Sequence, residues 1–245
     1  MQTLWHNSRS RTIRCLSPFV ILLAAVAALS AGAGLPQGKT MTIALDHPSE
    51  LQPRHVKMEQ VTYQGRKALR VTDAAPANVP DGIQLVVLNK TAFQDGVIEI
   101  ELAGEPMDAG SGARGFVGVA FRVVSDAAKD AFKYECFYLR PTNGRADDQV
   151  RRNHATQYIS YPDFPWSRLR KEFPEKYESY VDLVPGAWTK VKIEVRGDTA
   201  RLYVHGALQP VLVVTDLKQG KGQGQLALWV GTGTVAHFTN LRITK

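Results

Sequence analysis

The densest run of polar chemistry in this chain lies between Arg140 and Tyr158, reading RPTNGRADDQVRRNHATQY. It brings together Arg140, Asn143, Asp148, Arg152, His154 and Tyr158, and Trp166 follows shortly after. These residue types suit the recognition of polyhydroxylated molecules. Guanidinium, amide and carboxylate groups donate to and accept from sugar hydroxyls, and an aromatic ring packs against the C–H face of a sugar. The bland alternative is a solvated loop tied down by its own Arg–Asp pairs. Loops carried on a rigid scaffold are nevertheless where binding residues concentrate.

The strands that lead into this run extend the same chemistry. On a strand, side chains alternate between faces. Along Phe132–Arg140 the alternation places Tyr134, Cys136, Tyr138 and Arg140 on one face, and along Phe116–Arg122 it groups Gly118, Ala120 and Arg122. Small residues beside Arg and Tyr suit a concave sheet face that admits a ligand. Val117, Val119, Phe121, Phe137 and Leu139 would then face a core. The candidate binding set is therefore Arg122, Tyr134, Arg140, Asn143, Asp148, Arg152, His154, Tyr158 and Trp166. Residues 140–166 are expected to fold back over this face and close one end of a groove. No catalytic residue is assigned.

Other chemistries are thinner. Glu99 and Glu101 lie two apart, on one face of a strand, and a carboxylate pair about 5–5.5 Å apart is what a retaining glycosidase uses. Their alternative is a solvated outer face. Cys136 reads as a small buried thiol. No cofactor is called for, and Ca2+ is the one ion with a candidate ligand set, in Asp147, Asp148, Asn143 and backbone carbonyls. No His or Cys cluster has zinc spacing. His154 is the best acid–base candidate because it sits in the polar run. Nucleophile elbows, phosphate loops and dinucleotide fingerprints are missing.

Charge and address follow from the termini inward. Arg9, Arg11 and Arg14 precede an apolar stretch from Leu16 to Leu29, which ends at Ala31-Gly32-Ala33. That series reads as a signal peptide over residues 1–33, with a single domain over 34–245, and it predicts an exported protein, periplasmic or secreted. The membrane would be engaged only through an uncleaved leader, and the apolar run is short of the roughly 20 residues of a span. The chain carries 30 basic and 23 acidic residues, a net charge of +7. Without the three leader arginines the excess falls to +4, and residues 140–171, with seven basic and three acidic, hold all of it. The excess is local, and no nucleic-acid-binding motif accompanies it, so a nucleic-acid partner is not expected. Cys15 falls in the leader, so the mature chain has one cysteine and no internal disulfide. A domain of this size can bury enough core without one.

The elements that must position these residues are strands punctuated by turns, with no convincing amphipathic helix. Strands are expected near 41–45, 55–72, 83–88, 97–102, 116–122, 132–140, 189–196, 200–205, 211–214, 226–230 and 235–243. Trp188, Ile193, Leu202, Leu228 and Phe238 are expected in one core. Residues 141–185 show no periodicity, yet Tyr158, Tyr161, Phe164, Trp166, Phe173, Tyr177 and Tyr180 are too many aromatics for a disordered linker. The fold class is all-β, an antiparallel two-sheet sandwich with one long loop.

From Thr91 to Ile243 the chain resembles the concanavalin A-like (laminin G-like) jelly rolls, and among them the bacterial 3-keto-disaccharide hydrolase type of domain. The resemblance is carried by Phe93, Asp95-Gly96, Ile98, Glu99, Gly115-Phe116, Phe121-Arg122, Pro185-Gly186, Trp188, Val191-Lys192-Ile193, Leu202-Tyr203-Val204, Gly224, Leu226, Leu228, Phe238, Asn240-Leu241 and Ile243. It implies an exported, sugar-related role with a glycan or other polyhydroxylated ligand: a carbohydrate-binding domain, or a glycosidase-like hydrolase or lyase acting on a (keto-)sugar glycoside. A structural envelope or adhesion domain is the third reading. Glycanases of this fold carry a Glu-x-Asp-x-x-Glu type of pattern. The run Glu99–Glu105 lacks the central Asp, and its last Glu is displaced by one.

Overall fold

The structure, a computed structural model, describes residues 38–75, 82–108, 110, 112–126 and 131–245. The expected leader and its cleavage site lie outside the described residues. In chain order the strands begin with β1 (Thr40–Thr42) and β2 (Leu51–Arg54). The hairpin of β3 (Val56–Tyr63) and β4 (Arg66–Asp73) follows, then β5 (Leu85–Phe93), β6 (Gly96–Pro106), β7 (Val117–Asp126) and β8 (Ala131–Leu139). A helical turn α1 (Gln149–Asn153), β9 (Thr156–Tyr161), helix α2 (Trp166–Glu172) and β10 (Glu178–Ser179) come next. The chain closes with β11 (Thr189–Arg196), β12 (Thr199–Val204), β13 (Leu212–Val214), β14 (Gly224–Val230) and β15 (Thr234–Thr244).

These strands form two antiparallel sheets packed as a jelly-roll sandwich. One sheet runs β13-β12-β11-β6-β15-β4-β3, with β1 added to the end of β15; the other runs β10-β9-β8-β7-β14-β5-β2. In the first sheet the expected alternation holds. Ile98, Ile100, Val191, Ile193, Leu202 and Phe238 are buried, while Glu99, Lys190 and Arg201 are exposed. In the second sheet both faces are covered. One face is a continuous apolar surface of Val117, Val119, Phe121, Phe137, Leu139, Leu226 and Leu228, and it packs on the first sheet. The other carries Tyr134, Tyr138, Trp229 and Gln157, all buried. On this second face Tyr138 stacks on Trp229 at 4.6 Å, and the Trp229 indole N–H donates to Tyr134 Oη at 3.1 Å.

Three expectations change on contact with the structure. Residues 141–185 are not one irregular loop: they hold α1, β9, α2 and β10, and β9 pairs with β8 over six residues, from Tyr134↔Tyr161 to Leu139↔Thr156. Trp188 does not enter the core. It lies just before β11 on the outer face of the first sheet, edge-on to Tyr63 at 5.6 Å and 5.0 Å from the Arg66 guanidinium carbon. Arg122 leaves its expected face altogether. The β7–β8 register shifts between Phe121 and Val124, and Arg122 adopts φ 54°. This bulge swings the side chain to the end of the sandwich, where it is 3% exposed. There it donates to the carbonyls of Gln94 (2.9 Å), Gly197 (2.6 Å) and Gly220 (2.6 Å), and to Asp95 Oδ1 (3.0 Å). One guanidinium thus ties the β5–β6, β11–β12 and β13–β14 connections together.

On the outer face of the first sheet, Tyr63 stacks on His237 at 3.6 Å with the rings nearly parallel. His237 is buried beneath it, and its Nδ1 has no partner among the described residues. Burial, then the charge of Arg70, pulls the imidazole down to about 4 from an ordinary 6.5. The folded state therefore favours the neutral ring. Its stabilising contribution is complete above pH 6.5 and is lost as pH falls towards 4. His237→Phe should accordingly flatten the decline in urea midpoint across that window relative to wild type; an identical slope would assign the pH dependence elsewhere. Arg122→Ala should lower stability on the order of 3 kcal/mol in urea denaturation, because each buried acceptor left unpaired costs about 1–3 kcal/mol.

Candidate functional site

A cavity of about 520 Å³ opens at the end of the second sheet opposite the Arg122 turns. Its size is ordinary for a small-ligand pocket, about 300–1,000 Å³. Four pieces of chain build it: described residues of the β6–β7 connection from Met107 to Phe116, the residue that follows β8, one face of α2, and the β14–β15 turn at Gly233. The loop is held close by Gly115, whose φ is +67° and where a Cβ would stand 2.6 Å from Glu105 Cα, so glycine alone fits. That close approach sets Phe116 as one wall and Arg114 as another. Trp166 and Arg170 are one helical turn apart on α2 and so share a face. The helix follows Pro165, carries the Arg168–Glu172 pair on its exposed side, and buries Leu169.

Glu178 on β10 anchors this end of the molecule. Its carboxylate is almost fully buried and is met by three basic side chains, two guanidiniums and an imidazole. Arg170 grips it with two bonds, Nε to Oε1 at 2.8 Å and Nη2 to Oε2 at 2.6 Å. Arg140 Nη1 reaches Oε2 at 3.2 Å, and His154 Nδ1 lies 2.9 Å from the same oxygen. Burial alone would raise the Glu178 pKa. The hydrogen bonds and charge of Arg170, followed by His154 and Arg140, outweigh it and hold the carboxyl below its ordinary value. His154 is pulled down from its usual value by burial, against the opposing pull of Glu178.

Arg140, 3% exposed, also donates to Tyr138 Oη (2.9 Å), Gln157 Oε1 (2.8 Å) and the His154 carbonyl (3.1 Å). Its Nε is buried and without a partner among the described residues. Trp166 stands at the mouth, 39% exposed, with the Arg170 and Arg140 guanidinium carbons 4.8 and 5.8 Å from its ring. Arg114 also lines the cavity. Burial, then the charges of Arg151, Arg140 and Arg170, lowers its pKa from the usual guanidinium value.

Of the nine residues expected from sequence, Arg140 and Trp166 meet at this cavity, and His154 joins Arg140 through Glu178. The remaining six are placed elsewhere. Arg122 is the turn staple described above. Tyr134 is fully buried, stacks on Tyr161 at 5.2 Å and donates to the Gly82 carbonyl, so it presents no surface to a ligand. Tyr158 is on the opposite face of the sheet. Its hydroxyl donates to buried Glu135 (2.6 Å) and accepts from the Lys218 N–H (2.8 Å). Asn143 is buried as a strut: its amide donates to the His154 carbonyl, and its oxygen accepts from Arg151. Asp148 caps α1 by accepting from the Arg151 N–H at 3.2 Å. Arg152 donates to Tyr180 Oη at 2.9 Å, away from the cavity. Asn143 and Asp148 are thus engaged in local structure, and among the described residues no cluster of three or more His, Cys, Asp or Glu is arranged to hold a metal.

Sequence reasoning missed Arg114, Phe116, Arg170 and Glu178 as site residues. The Trp166/Arg170 spacing was the available signal for two sides of the cavity. Glu99 and Glu101 do share a face, and both line a separate depression of about 420 Å³ on the first sheet. Glu101 is bonded to Arg66 (2.6 Å) and Asn240 (3.0 Å). The Arg66 bond holds its pKa below the ordinary value, the opposite of what a general acid needs.

No protein-family model matches the sequence, and no curated protein does. Among solved structures, the chain is similar to the carbohydrate-binding module CBM66 from Bacillus subtilis, at 14% identity and TM-score 0.49, covering 85% of this chain and 98% of that one. A Bacillus subtilis protein of unknown function with a galectin-like fold aligns at 11% identity and TM-score 0.49, over 80% and 89% of the two chains. A Bacillus licheniformis β-glucanase aligns at 14% identity and TM-score 0.41, over 87% and 95%.

Glu178→Gln should cost about 3–5 kcal/mol at pH 7, since it strands a buried guanidinium without its counter-charge. A carboxyl with a depressed pKa stabilises above its ordinary value of 4.5 and loses that contribution as pH falls below it. Wild type should therefore lose stability more steeply than the variant in thermal melts below pH 4.5, and parallel curves would refute the role given to this carboxylate.

Proposed function

We propose that this is an exported carbohydrate-binding domain that holds a glycan in the cavity between Phe116, Arg140 and Trp166. The observation that carries the reading is the setting of Trp166. A half-exposed indole stands at the mouth of a preformed cavity, beside guanidinium groups fixed by buried bonds. A sugar ring offers both complements, a C–H face for an aromatic ring and hydroxyls for fixed donors. Arg140 is preorganised by Glu178, Gln157 and Tyr138, so little ordering would be required on binding.

Cleavage of a glycosidic bond, including one in an oxidised keto-sugar, asks for two carboxyl groups converging on the sugar. Asp108 is the carboxylate that lines the cavity, and Glu178 behind it is committed to Arg140, Arg170 and His154. Binding therefore suits the arrangement better than hydrolysis.

Glycan-array screening of residues 34–245, followed by calorimetric titration of the best ligand, tests the proposal. Trp166→Ala should weaken binding at least tenfold, with base-stacking-like losses of about 1–3 kcal/mol as the guide for an exposed aromatic platform. Its melting temperature should stay close to wild type. Arg152→Ala, which is remote from the cavity, should bind normally. Equal binding by Trp166→Ala and wild type would reject this site.

A further inference from the structure

The charge around the cavity exceeds what a neutral sugar requires. Arg114, Arg140 and Arg170 line it, and Asp108 is the carboxylate among the lining residues. Behind them Glu178 serves both Arg140 and Arg170. Arg114 has no carboxylate within ion-pair distance among the described residues. Arg151 nearby is held by the neutral oxygens of Asn143 (3.1 Å) and Thr142 (3.4 Å), not by an acid. Three guanidiniums thus line the cavity with one carboxylate, Glu178 pairs with two of them from behind, and Asp73 accepts from the Gly233 N–H at the rim (2.7 Å). A guanidinium does not shed its proton in a protein, so the charge of Arg114 is left to solvent ions or to a ligand. Arg140 adds a second observation: it lines the cavity, yet its side chain is 97% buried and its Nε has no partner among the described residues.

We infer that the cavity selects acidic saccharides, with Arg114 receiving a sugar carboxylate while Trp166 packs against the ring. The inference rests on the reading of the cavity as a glycan site and names the ligand class. A carboxylate is planar and accepts two parallel N–H bonds from a guanidinium fork, which makes the match geometric as well as electrostatic. Arg114 suits the role because its surroundings already disfavour its charge. A bound anion would relieve repulsion from Arg140, Arg151 and Arg170 together.

The test uses tetrasaccharides prepared from polygalacturonate, alginate and hyaluronan, each paired with its carboxyl-reduced, neutral counterpart. Binding to the mature protein is measured by calorimetry at roughly 0.15 M salt, where long-range attraction is screened. At least one acidic member should bind tenfold or more tighter than its reduced partner. Arg114→Gln should erase that preference, so that the acidic member binds no tighter than its reduced partner. Trp166→Ala should weaken both. If the acidic and reduced forms bind equally, the charge inference fails and the glycan site stands. If acidic binding survives Trp166→Ala, the attraction is general to polyanions and the inference fails. If no acidic member binds, it fails as well. Neutral glycans retained on the array then keep the broader reading, and an empty array removes both.

Discussion

A single buried carboxylate sets the geometry of the cavity end of this molecule. Glu178 draws in Arg140 from the end of β8, His154 from the turn after α1, and Arg170 from α2. Each comes from a separate stretch of chain, and α1 and α2, with five and seven residues, are too short to hold a fixed course alone. Removing charges from water is costly unless they are paired and hydrogen-bonded. The segments are therefore compelled to converge, and that convergence gives Trp166 its position. β10 spans two residues, and its ladder to Thr156 and Gln157 adds little by itself. Its importance lies in delivering Glu178.

The opposite end of the sandwich is built on the complementary principle. There a cation gathers acceptors, three backbone carbonyls and one carboxylate. Arg122 engages three carbonyls and Asp95, while Asp95 also accepts from the Gly197 N–H. The arrangement consumes the donors it uses and leaves nothing to present. At the cavity end, by contrast, cations outnumber their partners. The two ends share a residue type but differ in saturation, which separates a structural arginine from one able to meet a ligand.

The sandwich was legible because two-residue alternation is strong wherever one face is solvated. Val191, Ile193 and Val195 against Lys190, Lys192 and Glu194 located β11 to the residue. Between 141 and 185 the signal failed for identifiable reasons. β9 reads TQYISY and is buried on both faces, so it shows no polar stripe. α2 has seven residues, fewer than two full amphipathic turns can display clearly. Arg122 was misplaced because a bulge breaks the alternation on which the face assignment relied, and no residue type marked it. Arg140 and Trp166 were legible from local chemistry. Arg114 and Glu178 were not, because their significance is charge balance among segments distant in sequence.

The margins of the two sheets carry a consequence of their own. An uncovered strand edge is a template for a second chain. Here β10 has two residues, β13 has three, and β2 contains Pro53, which lacks a backbone N–H to offer. The fourth margin, β3, is eight residues long and exposes Lys57 and Glu59. Three margins are too short or too interrupted to propagate a ladder, and the fourth bears charges that disfavour stacking in register. A domain whose rims resist strand addition can be crowded, many copies side by side, without polymerising edge to edge.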